Sequence, residues 1–204
     1  MFTGDLVDRE KGEMKSGITL MKELVSIAPV YYVTGNHEAW FGSFSVLEEK
    51  LEAIGVRVLR NTTERISIGD EYLRIVGLDD PAFERKGEER DIMELAMEHY
   101  IDGIEVKREF TILLAHRPEM IDLYANYGSN LVFSGHAHGG QFRIPFIGRG
   151  VAPNQGFFPT YTNGEHTVDE TTMIVNRGLG NSIIPIRIFN RPEITIVKLE
   201  SIGE

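Results

Sequence analysis

Four short patches constrain this chain more than anything else in it. They read Gly4-Asp5-Leu6-Val7-Asp8, Gly35-Asn36-His37-Glu38, the lone His116 in Leu113-Leu114-Ala115-His116-Arg117-Pro118, and Gly135-His136-Ala137-His138. Each closes a run of apolar, strand-like residues. Each presents Asp, Asn or His, the hard and borderline metal-ligand types, where a turn exposes them. The chain has no Cys, so disulfides and thiolates are excluded and any metal must sit on His, Asp, Asn, Glu or water.

Taken singly, three of the patches have plain structural readings. Gly4 permits a tight turn that presents Asp5 at a strand's C-terminal edge, where α/β folds place their chemistry; a lone Gly-Asp equally reads as a helix cap. Asn36 offers a neutral carbonyl and His37 an imidazole, or Asn36 simply caps a turn. His116 at a strand end is more often a satisfied structural residue than a ligand. The Gly-His-Ala-His patch is the strongest. Its two histidines, two residues apart, would diverge in a regular strand, so the flanking Gly135, Gly139 and Gly140 must let the backbone turn to bring them together. His99, at a helix end, reads as structural, and His166, in a long loop, as exposed.

Along the chain, helical spacing covers Met14 to Val25 and Val46 to Ile54, the latter closed by Gly55. Ile92 to Tyr100 and a short stretch opening near Pro118 read as further helices. Strand-like runs are Met1 to Thr3, Val30 to Val33, Val56 to Leu59, Ile66 to Ile68, Tyr72 to Leu78, Phe110 to Ala115, Leu131 to Phe133, Met173 to Val175, Ile184 to Phe189 and Ile194 to Leu199. The segment Gly139 to His166 is too long for an ordinary connection and favours a functional rim over the site. Its Phe142, Phe146, Phe157, Phe158 and Tyr161 must pack in a satellite core or contact a substrate. One domain over residues 1–204 fits this order.

The net charge of −10, with Lys and Arg scattered among Glu and Asp, argues against binding a nucleic-acid backbone. Apolar residues at 42 % give an ordinary globular core. No stretch approaches the roughly 20 apolar residues of a membrane span, and the N-terminus lacks a signal core. The chain as given is expected in the cytoplasm.

In that order, the four patches closely resemble the calcineurin-like metallophosphoesterases. The tail, with Asn176-Arg177-Gly178-Leu179-Gly180 and Arg191-Pro192-Glu193-Ile194, looks like the bacterial subgroup of predicted phosphohydrolases, many of them membrane-anchored at the N-terminus. The resemblance implies a four-layer αββα two-sheet sandwich. It also implies a two-metal phosphoester hydrolase that uses metal-bound hydroxide, with two divalent ions (Mn, Fe or Zn). By the same resemblance Asp5 bridges the metals, Asn36, His116 and His136 complete the second site, and His138 ligates the first. His37 faces the leaving group as general acid or charge stabiliser, and Asp8 orients it. Arg9 sits where some members place a phosphate-contacting Arg, or is a surface Arg after a helix cap. The substrate class is a phosphate mono- or diester.

The family opens with an Asp-x-His patch, which this chain lacks. The expectation is therefore a fold without its first β-α unit, with the first metal left to Asp5 and His138. Three accounts stand: a start placed within a longer protein, a genuinely shortened homologue with one metal or none, or another chain donating the strand. A longer parent would carry any membrane association in that missing N-terminal region. The rival to a hydrolase is a degenerate, non-catalytic module that binds a metal and a phosphorylated ligand.

Overall fold

The structure, a computed structural model, describes residues 1–8, 14–69, 71–84, 86–101, 109–140, 143–144, 148–149, 151–181 and 187–200. Its chain order begins β1 (Phe2–Thr3), α1 (Lys15–Val25), β2 (Tyr31–Val33), α2 (Asn36–Trp40), α3 (Phe44–Ala53) and β3 (Arg57–Val58). Next come β4 (Thr62–Ile68), β5 (Glu71–Gly77), α4 (Glu89–Tyr100), β6 (Phe110–Leu114), α5 (Ile121–Asn126) and β7 (Leu131–Ser134). Short strands follow: β8 (Arg143–Ile144), β9 (Gly148–Arg149), β10 (Val151–Ala152) and β11 (Gly156–Phe157). Strands β12 (Gly164–Val168) and β13 (Thr171–Val175) close the series.

Two sheets carry the architecture. Strands β1, β2 and β3 form a parallel sheet. The larger sheet runs β12-β13-β7-β6-β5-β4, parallel through its middle and antiparallel at both ends.

Side-chain alternation shows how the sheets stack. Tyr31 and Val33 face one way and pack with Ile75, Ile112, Leu114 and Ile174 of the larger sheet. Tyr32, between them, faces the other way and joins Met21 of α1 and Leu47 and Leu51 of α3. On the far side of the larger sheet, Val76 and Leu113 pack with Met93 and Met97 of α4 and with Ile121, Leu123 and Tyr124. The layers are thus helices, sheet, sheet, helices, as expected. Met21, Leu47 and Leu51 are fully buried, each contributing about 1.5–3 kcal/mol relative to exposure.

Several expectations need correction. Ile194 to Leu199 forms no strand. Its β-rich residues find no partner backbone among the described residues, and Ile194 and Ile196 lie exposed; strand propensity acts through pairing and half-burial, not alone. Val197 and Leu199 instead border a hollow beside Phe110 and Ile174. Most of the expected strand Ile184 to Phe189 lies outside the described residues. The segment Gly139 to His166 is no open loop: it holds the hairpins β8–β9 and β10–β11 and the start of β12. Its Phe142 and Phe146 lie outside the described residues. Tyr161 packs against the main core, whereas Phe157 and Phe158 are exposed. His166 is half-buried on β12, edge-on to Tyr161.

The C-terminal ends of β1, β2, β6 and β7 lead into the four patches. Parallel strands in each sheet bring those ends to one side of the molecule, which positions the site.

Candidate metal centre

Asp5 follows β1 across a tight turn. Gly4 takes φ +88°, a left-handed value that costs glycine little, and a Cβ there would come within 2.5 Å of the Gly35 nitrogen. Asp5 itself is left-handed at φ 55°. His136 and His138 are left-handed too, at φ 59° and 46°. The glycines alone therefore do not turn the Gly-His-Ala-His segment, as the sequence suggests. The two histidines carry the strained conformations themselves, at a cost of order 1–3 kcal/mol each.

The strain brings donors together. One ligand atom each from Asp5, His116 and His136 lie within 4.8 Å of one another. His116 Nε2 is 3.2 Å from Asp5 Oδ2 and 3.1 Å from Asn36 Oδ1. His136 Nδ1 is 3.1 Å from His116 Nε2. His138 stands further off, its Nε2 3.9 Å from Asp5 Oδ2. His116, His136 and Asn36 are buried. The Nδ1 of His116 lies 2.6 Å from the Thr3 carbonyl. Donation of Nδ1–H to that oxygen fixes the ring and turns Nε2 to the cluster, as outer partners of ligating histidines do.

Charges within the cluster are strongly coupled. Burial pushes Asp5 up, but the charge and hydrogen bond of His116, with His37 and His136 adding, hold it well below the usual carboxylate range. Burial pushes His116 down, yet Asp5 outweighs it, and with Asp80 and the Thr3 carbonyl the ring is raised to about 9. Burial, reinforced by the charges of His116 and Arg117, drives His136 well down. Burial also lowers His138 to about 4 against the pull of Asp5.

His37 lies on α2, whose start is set by Gly35. Its backbone N–H donates to Asp5 Oδ1 at 3.1 Å, and its ring packs near Trp40. It lines one cavity with Asn36, His136, His138, Arg117 and Glu89. Asp8 is half-buried just past the Asp5 turn. Arg9 lies outside the described residues.

Sequence reasoning missed three supports. Glu38, fully buried, accepts N–H from Asp5 at 2.8 Å and Gly35 at 2.7 Å on Oε2, and from Leu6 at 2.8 Å and Val7 at 3.2 Å on Oε1. Burial pushes its carboxyl up, to about 7, with the charge of Asp5 adding, while these N–H bonds pull down. Four N–H groups use every lone pair and leave no place for a proton, so Glu38 sits here as a carboxylate. Gly35 has no side chain to cap with, but a Glu three residues after a helix-start residue is the acceptor half of a capping box and could have revealed it.

Arg117, 2 % exposed, grips Asp80 through Nε at 2.6 Å and Nη2 at 2.9 Å. Its Nη1 reaches Glu89 at 3.3 Å and lies 3.4 Å from His136 Nε2. Nothing local in the sequence marks that contact, since Asp80 is distant in the chain. The third support is the turn of the β10–β11 hairpin, whose Pro153 and Asn154 wall the cavity with Trp40.

Carboxylate, amide and imidazole donors thus converge at the ends of parallel strands on a four-layer sandwich, a set suited to holding a metal ion. The chain belongs to the calcineurin-like phosphoesterase family, whose sequence model matches residues 1–140. It is similar to the uncharacterized metallophosphoesterase YkuE of Bacillus subtilis (strain 168), 32 % identical over 98 % of this chain and 67 % of the relative. An uncharacterized metallophosphoesterase of Aquifex aeolicus (strain VF5) is 31 % identical over 98 % of this chain and 72 % of its own length. The transmembrane protein with metallophosphoesterase domain of Bos taurus is 30 % identical over 98 % of this chain and 45 % of its own. The chain thus spans from 45 % to 72 % of the length of these relatives. A solved candidate 5′-nucleotidase from Staphylococcus aureus shares the fold: TM-score 0.51 and 12 % identity, covering 82 % of this chain and 36 % of that one. Among the described residues no helix is long and apolar enough to cross a membrane.

Proposed function

We propose that Asp5, Asn36, His116, His136 and His138 hold two divalent cations, and that the protein hydrolyses phosphate mono- or diesters there. The observation that carries this reading is the convergence of Asp5, His116 and His136 donor atoms within 4.8 Å. The donor set fits the ions: mixed imidazole nitrogen and carboxylate or amide oxygen, with no thiolate, suits Mn, Fe or Zn. Such ions supply Lewis-acid polarisation of the phosphoryl group and an activated water. Asp5 would be the ligand shared by the two ions; its Oδ2 lies 3.2 Å from His116 Nε2 and 3.9 Å from His138 Nε2.

His37 lines the same cavity but is outside the donor cluster. It is proposed to donate a proton to the leaving-group oxygen, or to stabilise charge there, with Asp8 as its orienting carboxylate and Arg9 as a phosphate contact. Arg117 holds its charge beside the cavity floor. The bovine relative's name sets a metallophosphoesterase domain in a transmembrane protein, and membrane association of a longer protein carrying this domain is proposed on that ground alone.

One observation favours a second reading. The Asp5, His116 and His136 donors lie within 4.8 Å of one another and Asn36 Oδ1 is 3.1 Å from His116 Nε2, whereas His138 is outside that group, 3.9 Å from Asp5. A chain that holds an ion only at that group would be a metal-binding module without turnover.

Metal analysis of the purified protein, with hydrolysis of bis-p-nitrophenyl phosphate in Mn²⁺, Fe²⁺ and Zn²⁺, separates the two. Two metals per chain with turnover support the hydrolase. One metal and no turnover with any ion support the module.

A further inference from the structure

The hairpin that walls the cavity continues into a feature the chemistry does not use. Phe157 and Phe158 are 80 % and 69 % exposed. They are not loose. The side-chain amide of Gln155 pairs with the backbone of Tyr161 on both sides: Nε2 donates to the Tyr161 carbonyl and Oε1 accepts its N–H, each at 2.8 Å. That double bond pattern mimics a strand pair and closes the loop of residues 156–160 at its base. Ala152, Pro159 and Thr162 are buried around it, and Tyr161 packs against the core. Phe158 is held at φ 58°, a left-handed value that a bulky residue adopts only where its surroundings impose it. The fold thus holds two adjacent aromatic rings out into solvent on an anchored loop.

The charge pattern says what covers them. Residues 151–164 carry no charged side chain, in a chain whose residues are 25 % charged. A protein partner is oriented by a polar and charged rim, to which the loop's own residues 156–160 contribute no charge. A lipid surface needs only apolar insertion. Asn154, at the cavity wall, and Phe157 are three positions apart, at most about 10 Å of chain.

We propose that the loop of residues 156–160 is an apolar prong that seats in a lipid–water interface and sets the His136–His138 cavity at headgroup depth. The substrate class is then a phosphoester displayed on a lipid surface; that part rests on the hydrolase reading above, whereas the docking itself does not. The net charge of −10 disfavours attraction to anionic lipid. Binding is therefore driven by the rings and is insensitive to salt.

Flotation with phosphatidylcholine vesicles at about 0.1 M and about 1 M NaCl, which differ in charge screening, is the test. The wild-type protein should float at both. Phe157→Ser/Phe158→Ser should lower the bound fraction at least about tenfold, from the loss of two buried rings, while Phe157→Leu/Phe158→Leu keeps it. Phe158→Gly guards against misfolding: glycine accepts the left-handed backbone, so its melting temperature should hold or rise while vesicle binding falls. Wild-type protein that stays unbound, that floats only at low salt, or whose serine variant floats equally overturns the proposal. So does a Phe158→Gly variant that binds vesicles as wild type does. Hydrolysis of water-soluble bis-p-nitrophenyl phosphate should be unchanged in the serine and leucine variants. If no metal supports that turnover in the wild type, the hydrolase reading fails while flotation still decides the prong.

Discussion

Glu38 Oε2 accepts the backbone N–H of Asp5 at 2.8 Å, across 33 residues of sequence. The same oxygen takes the N–H of Gly35 at 2.7 Å. One buried carboxylate therefore locks the turn that presents Asp5 to the turn that presents Asn36.

Glu38→Gln tests that lock. The amide NH₂ would face backbone N–H groups and leave buried donors unmet, each costing about 1–3 kcal/mol. The expected outcome is a loss of about 2–4 kcal/mol in urea unfolding, with weaker metal retention because Asp5 loses its fixed turn. Unchanged stability and metal content would show that Glu38 is a bystander.

His37 and His136 line one cavity but are expected to fail differently. His136→Ala should strip metal and activity together. His37→Ala should keep metal near normal and cut kcat by about 10²–10⁴-fold for esters with poor leaving groups. Esters with good leaving groups should suffer much less, and Asp8→Asn should show a milder form of the same pattern. Metal loss in His37→Ala equal to that in His136→Ala, or a defect blind to leaving-group pKa, would refute the assigned role.

The Arg117–Asp80 pair is buried on both sides. Arg117→Met strands the fully buried Asp80 carboxylate and should cost about 3–5 kcal/mol, whereas Asp80→Leu leaves Arg117 beside Glu89 and Glu119 and should cost less. The double variant should cost clearly less than the sum, read from a double-mutant cycle by urea unfolding. Additive losses would mean the pair is not coupled.

Gly77 sits between the sheets, where a Cβ would come within 2.8 Å of Val33 Cγ1 and crowd Leu59. Gly77→Ala should destabilise by about 1–3 kcal/mol through overpacking and leave metal content untouched, measured by calorimetry and metal analysis. A loss of metal at full stability would contradict a purely packing role.

Some of this protein is written locally. The apolar runs and helical spacing made most helices and strands legible, because burial periodicity belongs to single residues and near neighbours; the four-layer sandwich and the proposed donor set came with the resemblance of the four strand-end patches to a family. The α2 helix was not legible: Asn36–Trp40 is too short to show a period. Nor was the coil at Ile194 to Leu199, since whether a β-rich run becomes a strand depends on a partner backbone. The convergence of Asp5 with His116 and His136, the four N–H bonds of Glu38 and the Arg117–Asp80 grip were decided only by tertiary structure. Each joins residues far apart in the chain, and an electrostatic or hydrogen-bond energy exists only once folding has set the distance and excluded the water between them.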